Sequence, residues 1–211
     1  ELTNGGTALV VQDCKIDELT FEWDGNKPLK VTARMAGTVF SLDSALSPTV
    51  DETALKTYLT PVGGTFKVDV DSATPVTAYI KGGRITIRNN VQAEHYSGDN
   101  EAGDVTVGWH DVECAFTIVP SSITEWRTIV TGASDGTGVS ASPVYGSFEH
   151  TFTSGTNSLK FEGDNVAFVC DPPRATAQGR AYETELAGVV LYDATLTSNV
   201  KVTLVNAQAS Y

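Results

Sequence analysis

The sequence has only one methionine and three cysteines in 211 residues. Cys14, Cys114 and Cys170 lie far apart, so no CxxC or CxxH metal spacing exists, and an odd number argues against a disulfide framework. All three sit in stretches of alternating apolar residues and are expected to be buried free thiols. No apolar run reaches the roughly 18 residues that a membrane-crossing helix needs, so no membrane insertion is expected. No signal-peptide pattern is visible from Glu1 onward. Positive charge is scarce: 14 Lys and Arg stand against 26 Asp and Glu, for a formal net charge of −12. Grip on a phosphate backbone comes from neutralising it with Lys and Arg, so a free surface of this composition does not hold nucleic acid. Lys81, Arg84 and Arg88 are the nearest thing to a basic patch.

Catalytic signatures are missing as well. There is no GxSxG, no P-loop and no dinucleotide fingerprint. His95, His110 and His150 show no paired ligand spacing and read as surface or turn histidines. Glu183 and Glu185, two apart on a strand, share a face as glycosidase carboxylates do, but a chain with 26 acids produces such pairs by chance. Asp99, Asn100, Glu101 and Asp104 gather oxygen ligands without the EF-hand spacing. No catalytic residue, metal site or cofactor is expected, and the chain is read as a non-enzyme.

What the sequence does contain is period-2 alternation. Cys14 and Ile16 set one apolar phase, and Leu19, Phe21 and Trp23 the next, with a slip at Asp17-Glu18 that predicts a bulge. Asp24-Gly25-Asn26 is a hairpin signal. The return strand places Leu29, Val31, Ala33 and Met35 on one face and Lys30, Thr32 and Arg34 on the other, and runs past Gly37 towards Leu42. The two arms predict a long two-stranded ribbon. Residues 43–64 break the period and read as a long loop, of a length that is uncommon unless functional. Alternation returns at Phe66, Val68, Val70, then Val76, Ala78 and Ile80. A Gly82-Gly83 turn is expected before Ile85 and Ile87. Val105, Val107 and Trp109 follow, then Val112, Cys114, Phe116 and Ile118. Trp23, Trp109 and Trp126 all occupy periodic positions that predict core burial.

One segment reads as helical: Ser122-Ile123-Thr124-Glu125 is a capping box, Ile123, Trp126 and Val130 share a face, and Gly132 supplies the stop. Further strands are expected around 148–153, 159–161, 166–170, 182–192 and 200–205. Many short strands, one helix, no repeat and no linker predict an all-β sandwich or barrel with one short flanking α-helix, as a single domain over 1–211.

Three segments resemble the tail tube proteins of long-tailed bacteriophages, the siphophages. The stretch DCKIDELTFEWDGNKPLKVTARMAGTVFSL at 13–42 resembles the family's opening strand pair, with Asp13 where a Gly is usual and Gly37 matching the later one. GGRITIRNNV at 82–91 resembles the strand that ends in Asn-Asn. VECAFTIVPSSITEWRTIVTG at 112–132 resembles the strand followed by a short helix. The core match covers 13–152, and 153–211 matches less distinctly.

The resemblance implies a structural virion protein, assembled in the host cytoplasm. Its subunits would form homo-hexameric rings that stack into a tube, with long strands joining an inner barrel. Viral double-stranded DNA would pass through the lumen without specific binding. Implied partners are the tape measure protein, the tail terminator and distal tail or baseplate proteins. Under this reading Leu46, Pro48, Leu55, Tyr58, Leu59 and Pro61 are expected to contact neighbouring subunits, and Glu18, Glu22 and Asp24 to put negative charge on the lumen. The alternative is a carbohydrate- or receptor-binding β-sandwich module or adhesin, which needs exposed aromatics at loop tips. A hydrolase on a β-scaffold would need a convergent site that the sequence does not display.

Overall fold

The computed structural model describes residues 8–38, 40–43, 58–70, 76–98, 102–124, 126–127, 144–170, 174–175 and 182–206. Among them the chain is nearly all β. The strands are β1 (Ala8–Val11), β2 (Lys15–Asp24), β3 (Lys30–Ala36), β4 (Phe40–Asp43), β5 (Phe66–Val70), β6 (Val76–Thr77), β7 (Tyr79–Arg88) and β8 (Gln92–His95). They continue with β9 (Ala102–Thr106), β10 (Asp111–Val119), β11 (Val144–Ser154), β12 (Asn157–Cys170), β13 (Arg174–Ala175), β14 (Tyr182–Val190) and β15 (Lys201–Val205). Residues 123–124 and 126–127 are helical, and Trp126 N donates to Ser122 O at 3.1 Å. This places a helical turn where the capping box predicts one. Glu125, Val130 and Gly132 lie outside the described residues.

The residues cluster into two compact units. One holds 1–20, 32–57 and 87–111, and the other 21–31, 58–86 and 112–211. In the first, β1 pairs with β4 and β8 with β9, both antiparallel. Asp17 organises its other segments. Its Oδ1 accepts from Val91 N at 2.9 Å, its carbonyl accepts from Asn89 N at 2.8 Å, and its Oδ2 lies 3.3 Å from Arg34 Nε.

In the second unit, which holds Phe21–Asp24 of β2, Lys30–Val31 of β3 and Tyr79–Thr86 of β7, hydrogen bonds link strands in the order β3-β2-β7-β10-β14-β12-β11-β5-β6, with β15 also on β12 and β13 on β14. The sheet curls, because Phe21 on β2 meets Phe161 on β12 with ring centroids 4.7 Å apart, across several intervening strands. One inner face therefore becomes a core. β10 supplies Val112, Cys114, Phe116 and Ile118, all buried, in the alternation read from the sequence. Phe116 stacks against Phe66 and Phe148 at 4.9 and 5.1 Å. Burial pushes the Cys114 thiol up to about 12, so it behaves as a small apolar side chain.

Gly82 and Gly83 do not turn the chain; β7 runs straight through them. They are glycines because Trp23 lies across them. A Cβ on Gly83 would sit 2.6 Å from Trp23 Cζ2, and one on Gly82 2.9 Å from the Trp23 carbonyl oxygen. The Asp24-Gly25-Asn26 signal does make the predicted turn: Gly25 has φ +56° and Lys27 N donates to Asp24 O at 3.1 Å.

Expectations about burial are corrected at Cys170, which is half-buried, and at Cys14 and His150. Cys14 is exposed, its Sγ 3.4 Å from the Val11 carbonyl, because it lies in the break between β1 and β2 where Asp13 sits at φ +50°. His150 is no surface histidine: it is 1% exposed on the inner face of β11. It stacks on Trp23 at 4.8 Å and meets Phe66 and Phe152 edge-on at 5.6 and 4.3 Å. Neither ring nitrogen has a hydrogen bond of normal geometry. Burial in this aromatic box holds its pKa down at about 4, with the Thr65 backbone offsetting part of the effect.

The opposite face of β5, β11, β12 and β15 carries an ion-pair row. Glu149 on β11 lies directly across from Glu162 on β12. Lys160 Nζ bridges them, 2.9 Å from Glu149 and 2.8 Å from Glu162. Lys67 and Lys201 flank the row at 3.7 and 3.4 Å. The Lys160 ammonium, hydrogen-bonded to Glu162, holds that carboxyl below its usual range. Lys160→Met removes the bridge and leaves facing like charges. It is expected to cost about 1 kcal/mol at low ionic strength and less in high salt, read from urea unfolding at the two salt levels.

Candidate functional site

Among the described residues no three His, Cys, Asp or Glu side chains gather as a metal site, and no helix is long and apolar enough to cross a membrane. The features that stand out are exposed strands. β3 ends the hydrogen-bonded order, so its outer backbone edge has no strand partner among the described residues. From Lys30 to Met35 it is exposed on both faces, with Met35 60% exposed. β2 and β3 are neighbours in the sheet, but β3 ends at Ala36, short of the expected run past Gly37 to Leu42, because Phe40–Asp43 pairs with β1 instead. Val31, Ala33 and Met35 on β3 are all exposed among the described residues.

Each of the three carboxylates expected on a lumen has a cation beside it. Glu18 Oε2 accepts from Arg88 Nε at 3.0 Å in the first unit. In the second, Glu22 Oε2 lies 3.5 Å from Lys30 Nζ, and Asp24 Oδ2 2.5 Å from Lys27 Nζ. The Lys27 ammonium holds the Asp24 carboxyl below its usual value. Residues 15–36 carry four acidic and four basic side chains, in a chain whose net charge is −12. The strand pair is therefore nearly neutral, and its cations come from the neighbouring strand, the hairpin turn and β7.

Of the expected contact loop, Leu46, Pro48 and Leu55 lie outside the described residues. Tyr58, Leu59 and Pro61 are placed. Tyr58 is exposed, while Leu59 and Pro61 are half-buried. Thr60 forms an antiparallel bridge with Thr153, and Leu59 O accepts from Leu29 N at 2.9 Å. Gly64 presses against β11 so closely that a Cβ would lie 1.8 Å from the Thr151 carbonyl oxygen. Residues 58–64 are thus anchored to the sheet, which orients the Tyr58 ring outward.

Trp109 is the largest departure from the sequence reading. It is 84% exposed, not in the core. β9 stops at Thr106, and Asn90 captures the following backbone. Gly108 N donates to Asn90 O at 3.1 Å, and Asn90 Nδ2 donates to Trp109 O at 2.7 Å. Asn90 itself sits at φ +47°. This local turn breaks the alternation that Val105 and Val107 had set up, and a lone Asn-Asn pair was the only signal for it. Glu183 and Glu185 do share the outer face of β14, but Glu183 is occupied by Lys81 at 2.7 Å. Of the oxygen-ligand loop only Asp104 is described, and its carboxylate accepts from Val105 N at 2.7 Å.

The described residues thus present a curled antiparallel sheet with an open edge strand, an exposed β3 and paired surface charges. A search of curated proteins returned no match. A family model described as phage tail tube protein matches residues 1–199, and the chain belongs to that family. Its role is structural, as a component of the phage virion tail.

Proposed function

We propose that this chain, acting as one tail-tube domain over 1–211, forms hexameric rings that stack into the tube of a long-tailed phage. Double-stranded DNA passes through the lumen on its way into the host. The observation that carries this reading is the open edge and double exposure of β3. An unpaired, partly apolar edge strand is an aggregation liability in a monomer and is removed when strands close into a barrel. A barrel wide enough for a duplex needs more strands than one chain supplies, so several copies contribute. Tape measure, terminator and distal tail proteins are the partners of such a tube, which is assembled in the host cytoplasm. Tyr58, Leu59 and Pro61, with Leu46, Pro48 and Leu55, form its inter-subunit contact.

Glu18, Glu22 and Asp24 face the lumen in this reading, each beside its cation. Such a lining neither grips phosphate nor strongly repels it, which suits rapid passage. Glu22→Lys with Asp24→Lys makes the lining basic. Phage carrying both changes are expected to assemble tails but eject DNA more slowly, with added salt restoring the rate. Unchanged ejection would remove these residues from the lumen.

The exposed Trp109 also favours a second reading, a carbohydrate-binding module, since aromatic faces at loop tips stack on sugars. Negative-stain microscopy with light scattering separates the two. Rings or striated tubes with an open channel support the tube. A chain that stays monomeric with tail-tip proteins present, yet binds a glycan, supports the module.

A further inference from the structure

The outer face of the second unit's sheet holds a shallow depression with a floor of small residues. The strand registers place Ala115, Ala187 and Val169 in one row across β10, β14 and β12. The adjacent row runs through Glu113, Val189 and Ala167, so a second carboxylate, besides Glu185, borders the depression. Val169 is 71% exposed and Val189 43%, so part of the wall of the depression is an uncovered aliphatic surface. Its volume is about 280 Å³, below the roughly 300–1,000 Å³ of small-molecule sites and suited to a single side chain. Arg84 and Glu185 stand on its rim, both exposed and without an ion-pair partner among the described residues.

The same chain carries a matching projection in Trp109. Its backbone is fixed by Asn90, so presenting the ring costs little ordering entropy on contact. Tryptophan and arginine are the side chains most often found at the energetic centre of an interface.

We propose that Trp109 of one copy seats in the Ala115–Ala187–Val169 depression of the next copy. This contact rests on the tube reading and names one of its subunit surfaces. The rim fits the chemistry of an indole. Arg84 can lie over the ring face as a cation–π partner, and the Glu185 carboxylate can accept from the indole N–H. The projection and the depression are different surfaces of one chain. The contact is therefore heterologous, and such contacts propagate into closed rings or filaments instead of stopping at a two-fold dimer.

The test uses the full chain. Trp109→Ser and Ala187→Phe, the second filling the depression, are each expected to raise the concentration needed for assembly by roughly 30-fold, the loss typical of an interface anchor. Their melting temperatures should stay at the wild-type value, since both positions lie on the outside. In a Cys14→Ser background, the double variant Trp109→Cys/Ala187→Cys should give a ladder of disulfide-linked oligomers on oxidation, while each single variant stops at dimers. Wild-type assembly by both Trp109→Ser and Ala187→Phe, or rings without a ladder, overturns this contact and leaves the tube reading standing. A wild-type chain that forms neither rings nor tubes with tail-tip proteins present overturns both.

Discussion

Replacing Phe116 by alanine is expected to lower the unfolding free energy by roughly 3–5 kcal/mol, the largest single-site loss in the molecule. The ring is fully buried on β10 and packs against Phe66, Phe148 and, at 6.2 Å, Trp23. Those partners come from β5, β11 and β2, so one side chain ties together strands that the sheet order separates. Truncation removes the transfer free energy of the ring and leaves a cavity that three other rings cannot collapse to fill. Urea unfolding monitored by tryptophan fluorescence measures the loss, with Trp23 as a local reporter. Trp109→Ala, on the surface, should change the urea midpoint by less than about 0.5 kcal/mol equivalent and serves as the control. A Phe116→Ala loss as small as that of the control would mean that the aromatic cluster is not the core of this unit.

Acid is expected to destabilise the subunit through His150. Its folded-state pKa, about 4, lies below the ordinary histidine value of 6.5 that applies to the unfolded chain. Above about pH 6.5 the ring is neutral in both states and stability does not depend on it. As pH falls from 6.5 to about 4, the unfolded chain takes up a proton that the folded chain refuses, so stability drops. Below about pH 4 both states are protonated and the loss levels off near 3 kcal/mol. Trp23, Phe66 and Phe152 surround the ring, and none of them bears a charge that could compensate. The variant His150→Leu should lose this segment of the pH profile while keeping the part due to carboxylates. Among these, Glu162 and Asp24 have lowered pKa values and so contribute stability that disappears at lower pH. Unfolding curves of both proteins between pH 7 and pH 4 measure the difference. Parallel profiles would show that His150 is protonated in the fold or is not buried in solution.

Much of the local structure was legible in the residues. β10 could be read position by position, because its inward Val112, Cys114, Phe116 and Ile118 alternate strictly with outward residues. The turn at Asp24-Gly25-Asn26 was legible because positive φ has a residue signature. The Gly82-Gly83 pair was misread for the same reason, since glycine marks a turn and close packing alike. Only the presence of Trp23 above β7 distinguishes the two. The ion partners of Glu18, Glu22 and Asp24 were partly legible: Lys27 is local, but Arg88 reaches Glu18 from 70 residues away.

By itself, then, the sequence determined an all-β chain, the hairpin at Asp24-Gly25-Asn26, the helical turn after Ser122 and membership in a tail tube family. Those properties follow from periodicity, turn chemistry and motif order, which are local or additive along the chain. Outside β10, which face is buried was decided by tertiary structure. Val31, Trp109 and His150 occupy equally regular positions, yet the first two face outward and the third lies at the centre of an aromatic cluster. Alternation specifies that a strand has two faces, and only the curl of the sheet determines which face is covered and which stays exposed.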